Sequence, residues 1–317
     1  MITARSALSA CKQGRYSFIF VKENTDTLKY TTKNTIRFFV LGDWGRAGNE
    51  GQQLVADQMA HQAELLQPDF IISTGDNFYD NGVDGPEDPL WQSAFEQVYH
   101  HSALQIPWYC VLGNHDYGGN TLAQINYGTQ SERWHMPSRF YGKCLQNGSL
   151  SADFIFTDTT PLIQEYQESD SHPDILKQRS EVQLRWLRRR LAHCETQWKI
   201  VIGHHPVYSS SPMHGDTEEL LHDFEPLFRK YEVDAYLCGH EHDLQLQQPE
   251  GETYYVVSGA GSEIRETDRK EITTFSASAH GFACITLDGQ QMQIQFIDEQ
   301  GATLYTTRKA RLVQQQS

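Results

Sequence analysis

The 317-residue chain has no apolar run approaching the ~18 residues of a membrane span, which excludes a transmembrane helix. Positive charge is scarce: 26 Lys and Arg against 41 Asp and Glu give a formal charge of −15. A polyanion such as DNA is repelled on average by such a chain, so nucleic acid is excluded as a partner. A small anionic substrate meets the same repulsion unless its site carries concentrated positive charge. The six cysteines contain no CxxC pair, which argues against a thiolate metal site or a disulfide framework. Cys110 and Cys238 fall inside apolar runs, and the cysteines read as small buried hydrophobes. No Walker loop and no low-complexity linker is present, and a single domain is preferred over two.

The first residues, MITARSALSACKQG, lack the apolar stretch of about 7 to 15 residues that a signal peptide needs. Leu8-Ser9-Ala10-Cys11 resembles a lipoprotein cleavage box with Cys11 as the lipidated residue, given a start farther upstream. The expected division is an extension over 1–34, one domain over 35–310 and a tail over 311–317.

What the chain does have is a repeated pattern. A short apolar run rich in β-branched and aromatic residues ends in Gly and then a ligand-type side chain. It occurs as IRFFVLGD to Asp43, DFIISTGD to Asp76, PWYCVLGNHD around Asn114 and His115, WKIVIGHHP around His204, and VDAYLCGHEHD around His240 and His242. Runs of this kind read as strands buried on both faces. Successive ligand positions 43, 76 and 114 are 33 and 38 residues apart, near the size of a βαβ unit, so the strands should be largely parallel. Their carboxyl ends then share one edge of a sheet, where ligands bind.

Helical periodicity fills the gaps. EGQQLVADQMAHQAELL puts Val55, Met59 and Leu66 on one side, and SEVQLRWLRRRLAH does the same with Leu184, Leu187 and Leu191. TEELLHDFEPLFRKY starts at Thr217 as N-cap and is expected to kink or split at Pro226. After residue 250, TYYVVSGAG, GFACITL and MQIQFID read as antiparallel strands of a second sheet packed on the first, with Asp288-Gly289 as a hairpin turn. The stretch 164–180 reads as the least structured, a polar surface loop near the ligand edge.

The oxygen and imidazole groups gathered on that edge suit Fe, Mn or Zn, and their number suits two ions sharing a carboxylate. GDNFYDNG, GNHDYGGN, GHHPVYSSSPMHGDT and GHEHD contain no Lys or Arg, so positive charge for an anionic substrate would come from metal ions. Among other residues, His205 reads as a packing or hydrogen-bonding group, His100 and His101 as surface, and His135 as structural. Arg188 to Arg190 read as a solvated helix face, and Trp44 as packing near enough to brush a substrate.

GDWG, GDNFY, GNHD, VIGHHP and GHEH, in this order, resemble the five blocks of the purple acid phosphatases within the calcineurin-like metallophosphoesterases, and most closely their small tartrate-resistant type. The likeness extends to IPWY, RWHMPSRFY, HGDTEEL and YLCGHEHDLQ, from about Ile36 to Arg308. It implies an α/β fold of two packed mixed β-sheets flanked by helices, a four-layer α/β/β/α sandwich. It also implies a binuclear acid phosphatase, exported and monomeric, that acts on phosphomonoester small molecules or phosphoproteins and releases inorganic phosphate. Asp43, Tyr79 and His242 would hold Fe(III), Asp76 would bridge, and Asn114, His204 and His240 would complete a divalent site of Fe, Mn or Zn. A hydroxide formed on the metals would attack phosphorus, with Asn114, His115 and His214 facing the substrate; His214 lies one residue farther from His204 than the family pattern implies. The stretch 164–180 resembles the family's active-site-covering segment, without its cysteine pair. A phosphodiesterase of the same superfamily and a non-catalytic iron- or phosphate-binding protein are the alternatives.

Overall fold

The computed structural model describes residues 34–168 and 174–311. Cys11, Pro173, the extension before 34 and the tail after 311 lie outside the described residues.

Two seven-stranded sheets form the body. The first carries β1 (Ile36–Leu41), β2 (Phe70–Ser73), β3 (Trp108–Cys110) and β4 (Trp134–His135) in parallel. It continues from β1 through the antiparallel meander β12 (Gly281–Leu287), β13 (Gln291–Asp298) and β14 (Thr303–Ala310). The second carries β5 (Tyr141–Asn147), β6 (Leu150–Phe156), β7 (Trp198–Ile202), β8 (Ala235–Cys238), β9 (Leu244–Gln247), β10 (Tyr254–Ser258) and β11 (Thr273–Ala277). There β6, β7, β8 and β10 run parallel, while β5, β9 and β11 run antiparallel to their neighbours. Both sheets are mixed, as the family likeness implies.

The period of two along the strands shows why the layers number four. Ile200 and Ile202 of β7, Leu237 of β8 and Val256 of β10 point into the core between the sheets, where Phe38 stacks on Phe70 at 5.0 Å and meets Phe154 of β6 edge-on at 5.2 Å. The intervening Val201, Tyr236, Tyr255 and Val257 point the other way, into a core shared with Leu187, Leu191, Leu220 and Phe228 of the outer helices. On the first sheet, Val55 and Met59 of the helix Gln52–Leu66 are fully buried, as their spacing predicts.

Several expectations need correction. The five ligand-bearing strands do not share one sheet: β1, β2 and β3 lie in the first, β7 and β8 in the second. Nor do the strands after residue 250 make a sheet of their own. GFACITL hydrogen-bonds antiparallel to the open side of β1, with Phe38 opposite Ile285, and TYYVV pairs in parallel with β8. Both runs are buried on both faces, so either sheet's interior suits them; pairing partners are non-local and periodicity does not reveal them. The hairpin at Asp288 does form, between β12 and β13. The third helix splits into Glu218–Asp223 and Glu225–Tyr231, with Pro226 in the first turn of the second piece; Thr217 stands at the N-cap but its hydroxyl makes no capping bond. Arg190 is not simply solvated, since its guanidinium pairs with Asp153 at 2.5 Å across a half-buried surface. Trp44 is fully buried, donates to Ser73 Oγ at 2.8 Å and cannot touch a substrate. Among the described cysteines, Cys110, Cys238 and Cys284 are buried, whereas Cys144 is exposed on the edge strand β5. The described parts of 164–180 are less irregular than expected: helix Gln164–Gln167 and a 3-10 turn Ile175–Lys177 lie beside buried Ile163 and Ile175.

Asp158, just past β6, is buried beside the Tyr117 hydroxyl that donates to it, and its Oδ1 has no partner. Burial pushes its carboxyl up from 3.8 to about 7, against the opposing pull of Tyr117 and Arg139. The folded chain therefore keeps a proton that the unfolded chain gives up near 3.8, and this group's stabilising effect is lost as pH rises through that window. The melting temperature should be higher at pH 5 than at pH 8, and Asp158→Asn should flatten that slope by up to ~1.4 kcal/mol per pH unit; equal slopes in both proteins would refute the assignment.

Candidate metal centre

The carboxyl ends of the parallel strands of both sheets meet at one seam. Asp43 follows β1, Asp76 follows β2 and Asn114 follows β3, while His204 follows β7 and His240 and His242 follow β8. Asp43, Asp76 and His240 sit at φ 59°, 49° and 68°, the left-handed region that non-glycine residues seldom enter. Such strain is tolerated where surrounding structure over-determines the residue, and here it turns each side chain sharply off its strand into the seam. Close approach is met by glycine: a Cβ on Gly239 would lie 2.3 Å from Asp43 Oδ2, and one on Gly113 would lie 2.2 Å from Asp76 Oδ1.

All seven side chains proposed as ligands come together. The Tyr79 hydroxyl lies 3.2 Å from Asp43 Oδ1, 3.0 Å from Asp76 Oδ2 and 3.2 Å from His242 Nε2. Beside it, Asn114 Oδ1 lies 3.0 Å from His204 Nε2 and 3.1 Å from His240 Nδ1, and these two nitrogens are 3.3 Å apart. Asp76 Oδ2 faces both groups, since it is also 3.5 Å from His204 Nε2. Tyr79 in GDNFYDNG sits in a turn, and its side chain closes a cage.

The protons do not satisfy this cage. His204 Nδ1 is 2.9 Å from the Thr74 carbonyl and must donate to it, so its Nε2 is the atom that faces the carbonyl oxygen of Asn114 and the Asp76 carboxylate. Tyr79 has one hydrogen for three neighbours. His242 Nδ1 is buried without a hydrogen-bond partner. Burial raises Asp43 well above the usual carboxylate range, and burial together with Asp43 and Asp76 drives the Tyr79 phenol far above its ordinary value. Burial works against a charge on His204, yet Asp76 and Asp43 raise it to about 9. Burial, with Arg265 nearby, lowers His242 to about 3, and burial with the other imidazoles lowers His240 strongly. Neutral imidazole lone pairs beside buried carboxylates are a donor set that cations complete, so the residues present fit metal ions.

The remaining histidines divide clearly. The His115 amide donates to Asp76 Oδ1 at 2.9 Å, its ring Nδ1 meets the Asp80 carbonyl at 2.6 Å, and its half-buried ring lies 4.6 Å from Tyr79. His214 stands at the opposite rim, its ring 4.4 Å from His240 and its Nδ1 3.1 Å from the buried Glu241 carboxylate. His205 comes within 4.8 Å of His204 and His240 by its donor atoms, but both its nitrogens are engaged, with Thr159 Oγ1 at 2.9 Å and the Tyr166 hydroxyl at 3.3 Å.

Sequence reasoning missed several neighbours. Arg46 lies with its guanidinium 4.0 Å from the centroid of Tyr79, Glu263 Oε2 is 3.7 Å from His242 Nδ1, and Thr74 and Glu241 orient two of the histidines. The inference that basic residues are absent from this edge is therefore corrected. Arg46 directly follows the GDWG block.

A family model for calcineurin-like phosphoesterases matches residues 36–244. The chain belongs to that family, and within it to the purple, tartrate-resistant acid phosphatases. It is 34% identical over 290 residues to purple acid phosphatase 7 of Arabidopsis thaliana, covering 88% of this chain and 87% of that one. It is 34% identical over 303 residues to tartrate-resistant acid phosphatase type 5 of Homo sapiens, covering 87% and 91%. These likenesses make it a phosphoric monoester hydrolase. Among solved structures it is similar to GAP50, the anchor in the inner membrane complex of Plasmodium, with a TM-score of 0.78, 29% identity and coverage of 90% and 91%. A dimetal phosphatase from Danio rerio shares the fold, at a TM-score of 0.62, 14% identity and coverage of 87% and 99%.

Gly239→Ala tests the cage directly. Its methyl group would enter the space of Asp43 Oδ2, so metal content per chain should fall well below wild type with an unchanged circular dichroism spectrum. Full metal loading in this variant would contradict the packing described.

Proposed function

We propose that the chain hydrolyses phosphomonoesters at a binuclear metal centre and is active in acid. The observation that carries this reading is the convergence of seven oxygen and imidazole ligands from two sheets, with neighbouring donor atoms 3.0 to 3.6 Å apart. Asp43, Tyr79 and His242 would hold one ion, Asn114, His204 and His240 the other, and Asp76, which faces both groups, would join them. The phenol supports a trivalent ion, Fe(III), at the first position, because only strong positive charge can take its proton between two carboxylates. Fe, Mn or Zn fits the second.

When bound, the metal pair supplies an acidified water as nucleophile and positive charge for the phosphoryl oxygens. The chain's own residues do the rest. Asn114, at the junction of the two ligand groups, orients the phosphoryl oxygens by its side-chain amide. His115 Nδ1 is committed to the Asp80 carbonyl, so its Nε2 is the atom that delivers a proton to the leaving oxygen as the P–O bond breaks. His214, held by Glu241 at the other rim, contacts the part of the substrate beyond the phosphate.

A non-catalytic reading has one observation in its favour: GAP50, whose described role is that of an anchor, shares this fold. An intact ligand cage with His115 at its mouth favours catalysis instead. Export from the cytoplasm, as the family likeness implies, is proposed with it, and cell fractionation tests that part.

Two outcomes follow. Protein purified in air should be coloured by a charge-transfer band, and Tyr79→Phe should remove the band; a colourless wild type loaded with zinc would sink the ferric assignment. His115→Ala should slow hydrolysis of an alkyl phosphate by ~10²-fold or more, and much less for an aryl phosphate whose leaving group needs no proton. Equal losses on both substrates would remove the proton-donor role, and a fully metallated wild type without turnover on either would favour the anchor.

A further inference from the structure

Arg46 is held in place from several directions. Its backbone N–H donates to the side-chain oxygen of the buried Gln52 at 3.1 Å, and that side chain is itself fixed by donating to the Ala94 carbonyl at 2.7 Å. The guanidinium reaches Glu263 Oε2 at 2.8 Å and Asp80 Oδ1 at 3.5 Å, while Nε has no acceptor. Its carbon lies 4.0 Å from the centroid of the Tyr79 ring, over the face. Asp80 is 78% exposed and Glu263 40%, so pairing with either requires no placement over an aromatic ring. The position is explained instead by the ring, whose negative face attracts a cation, and does so more strongly when the ring is a phenolate.

We propose that Arg46 is a positioning and tuning residue of the metal centre: stacked on Tyr79, it stabilises the phenolate and weakens its electron donation to the bound ion. The inference rests on the reading of Tyr79 as a ligand. A positive charge over the ring lowers the energy of the ring's π electrons more than that of an ion, which Tyr79 would hold through its hydroxyl oxygen. The gap between phenolate and metal widens, and the less generous ligand makes the trivalent ion easier to reduce. Glu263, which sits between Arg46, Arg265 and His242, keeps the guanidinium from swinging toward solvent. No Lys performs this role equally, because a single ammonium cannot lie flat on the ring and bridge to two carboxylates.

The test uses the full-length, iron-loaded protein. Arg46→Met keeps the stem and drops the charge; its visible band should move to longer wavelength and its reduction midpoint should fall, at unchanged metal content. Arg46→Lys should recover part of both shifts, which a merely structural role would not produce. Should the Met variant fail to fold, Arg46→Gln is read in its place. A coloured wild type whose uncharged variant keeps band and midpoint overturns this inference alone. A colourless wild type, or one whose band survives Tyr79→Phe, overturns the ligand reading and this inference with it.

Discussion

Two buried carboxylates stand within hydrogen-bond distance of one phenol, and most of the molecule's peculiarities follow from holding them there. Asp43 and Asp76 are at most 1% exposed, and burying unpaired carboxylates is costly by several kcal/mol each. Imidazole offers no compensation unless protonated, and the His204 ring can neutralise only one of them. The fold meets the problem by rigidity: left-handed backbone at three ligands, Gly239 and Gly113 pressed against the carboxylate oxygens, and a Thr74 carbonyl that fixes the His204 tautomer. The geometry thus resists the relaxation that mutual repulsion would otherwise drive, and cations are the natural complement.

Much of this was legible in the sequence because the signal is local. A buried strand, a glycine and a polar residue occupy three consecutive kinds of position, and each ligand follows its strand directly, so Asp43, Asp76, Asn114, His204, His240 and His242 could be read without knowing which strands pair. Tyr79 was legible for the same reason, three residues past Asp76. What stayed hidden was non-local. The allocation of β7 and β8 to a second sheet depends on the hairpin β5–β6 that starts it, and the joining of β12 to β1 depends on a partner some 250 residues away in register, Ile36 with Leu287. Arg46 meets Glu263 across 217 residues, and nothing in GDWGRAG says that its guanidinium will settle on Tyr79 rather than in water.

The charge balance reads differently once the cage is seen in place. A chain of formal charge −15 should repel phosphate, and the blocks around the site do little to help. Arg46 and Arg265 lie nearby, but both face Glu263, so their charge is largely spent on protein carboxylates rather than left for a substrate. Net attraction for a phosphoryl group must then come from within the cage. Low pH assists, since Asp158 and Asp243, both pushed by burial to about 7, are neutral in acid and remove negative charge from the surroundings of the site.

The division of ligands between the sheets carries one more consequence. The first sheet supplies the oxygen donors Asp43, Asp76, Tyr79 and Asn114; the second supplies the nitrogen donors His204, His240 and His242. Under the proposed assignment no single sheet would hold either ion by itself, and the separation of the two donor sets is set by how the sheets pack. That packing rests on the aromatic contacts of Phe38 and Phe70 with Phe154, each near 5.2 Å. Close-packed cores transmit small changes of volume as shifts of the backbone. The core between the sheets thus acts as the spacer of the metal centre, and its large aromatic residues matter to chemistry that they never touch.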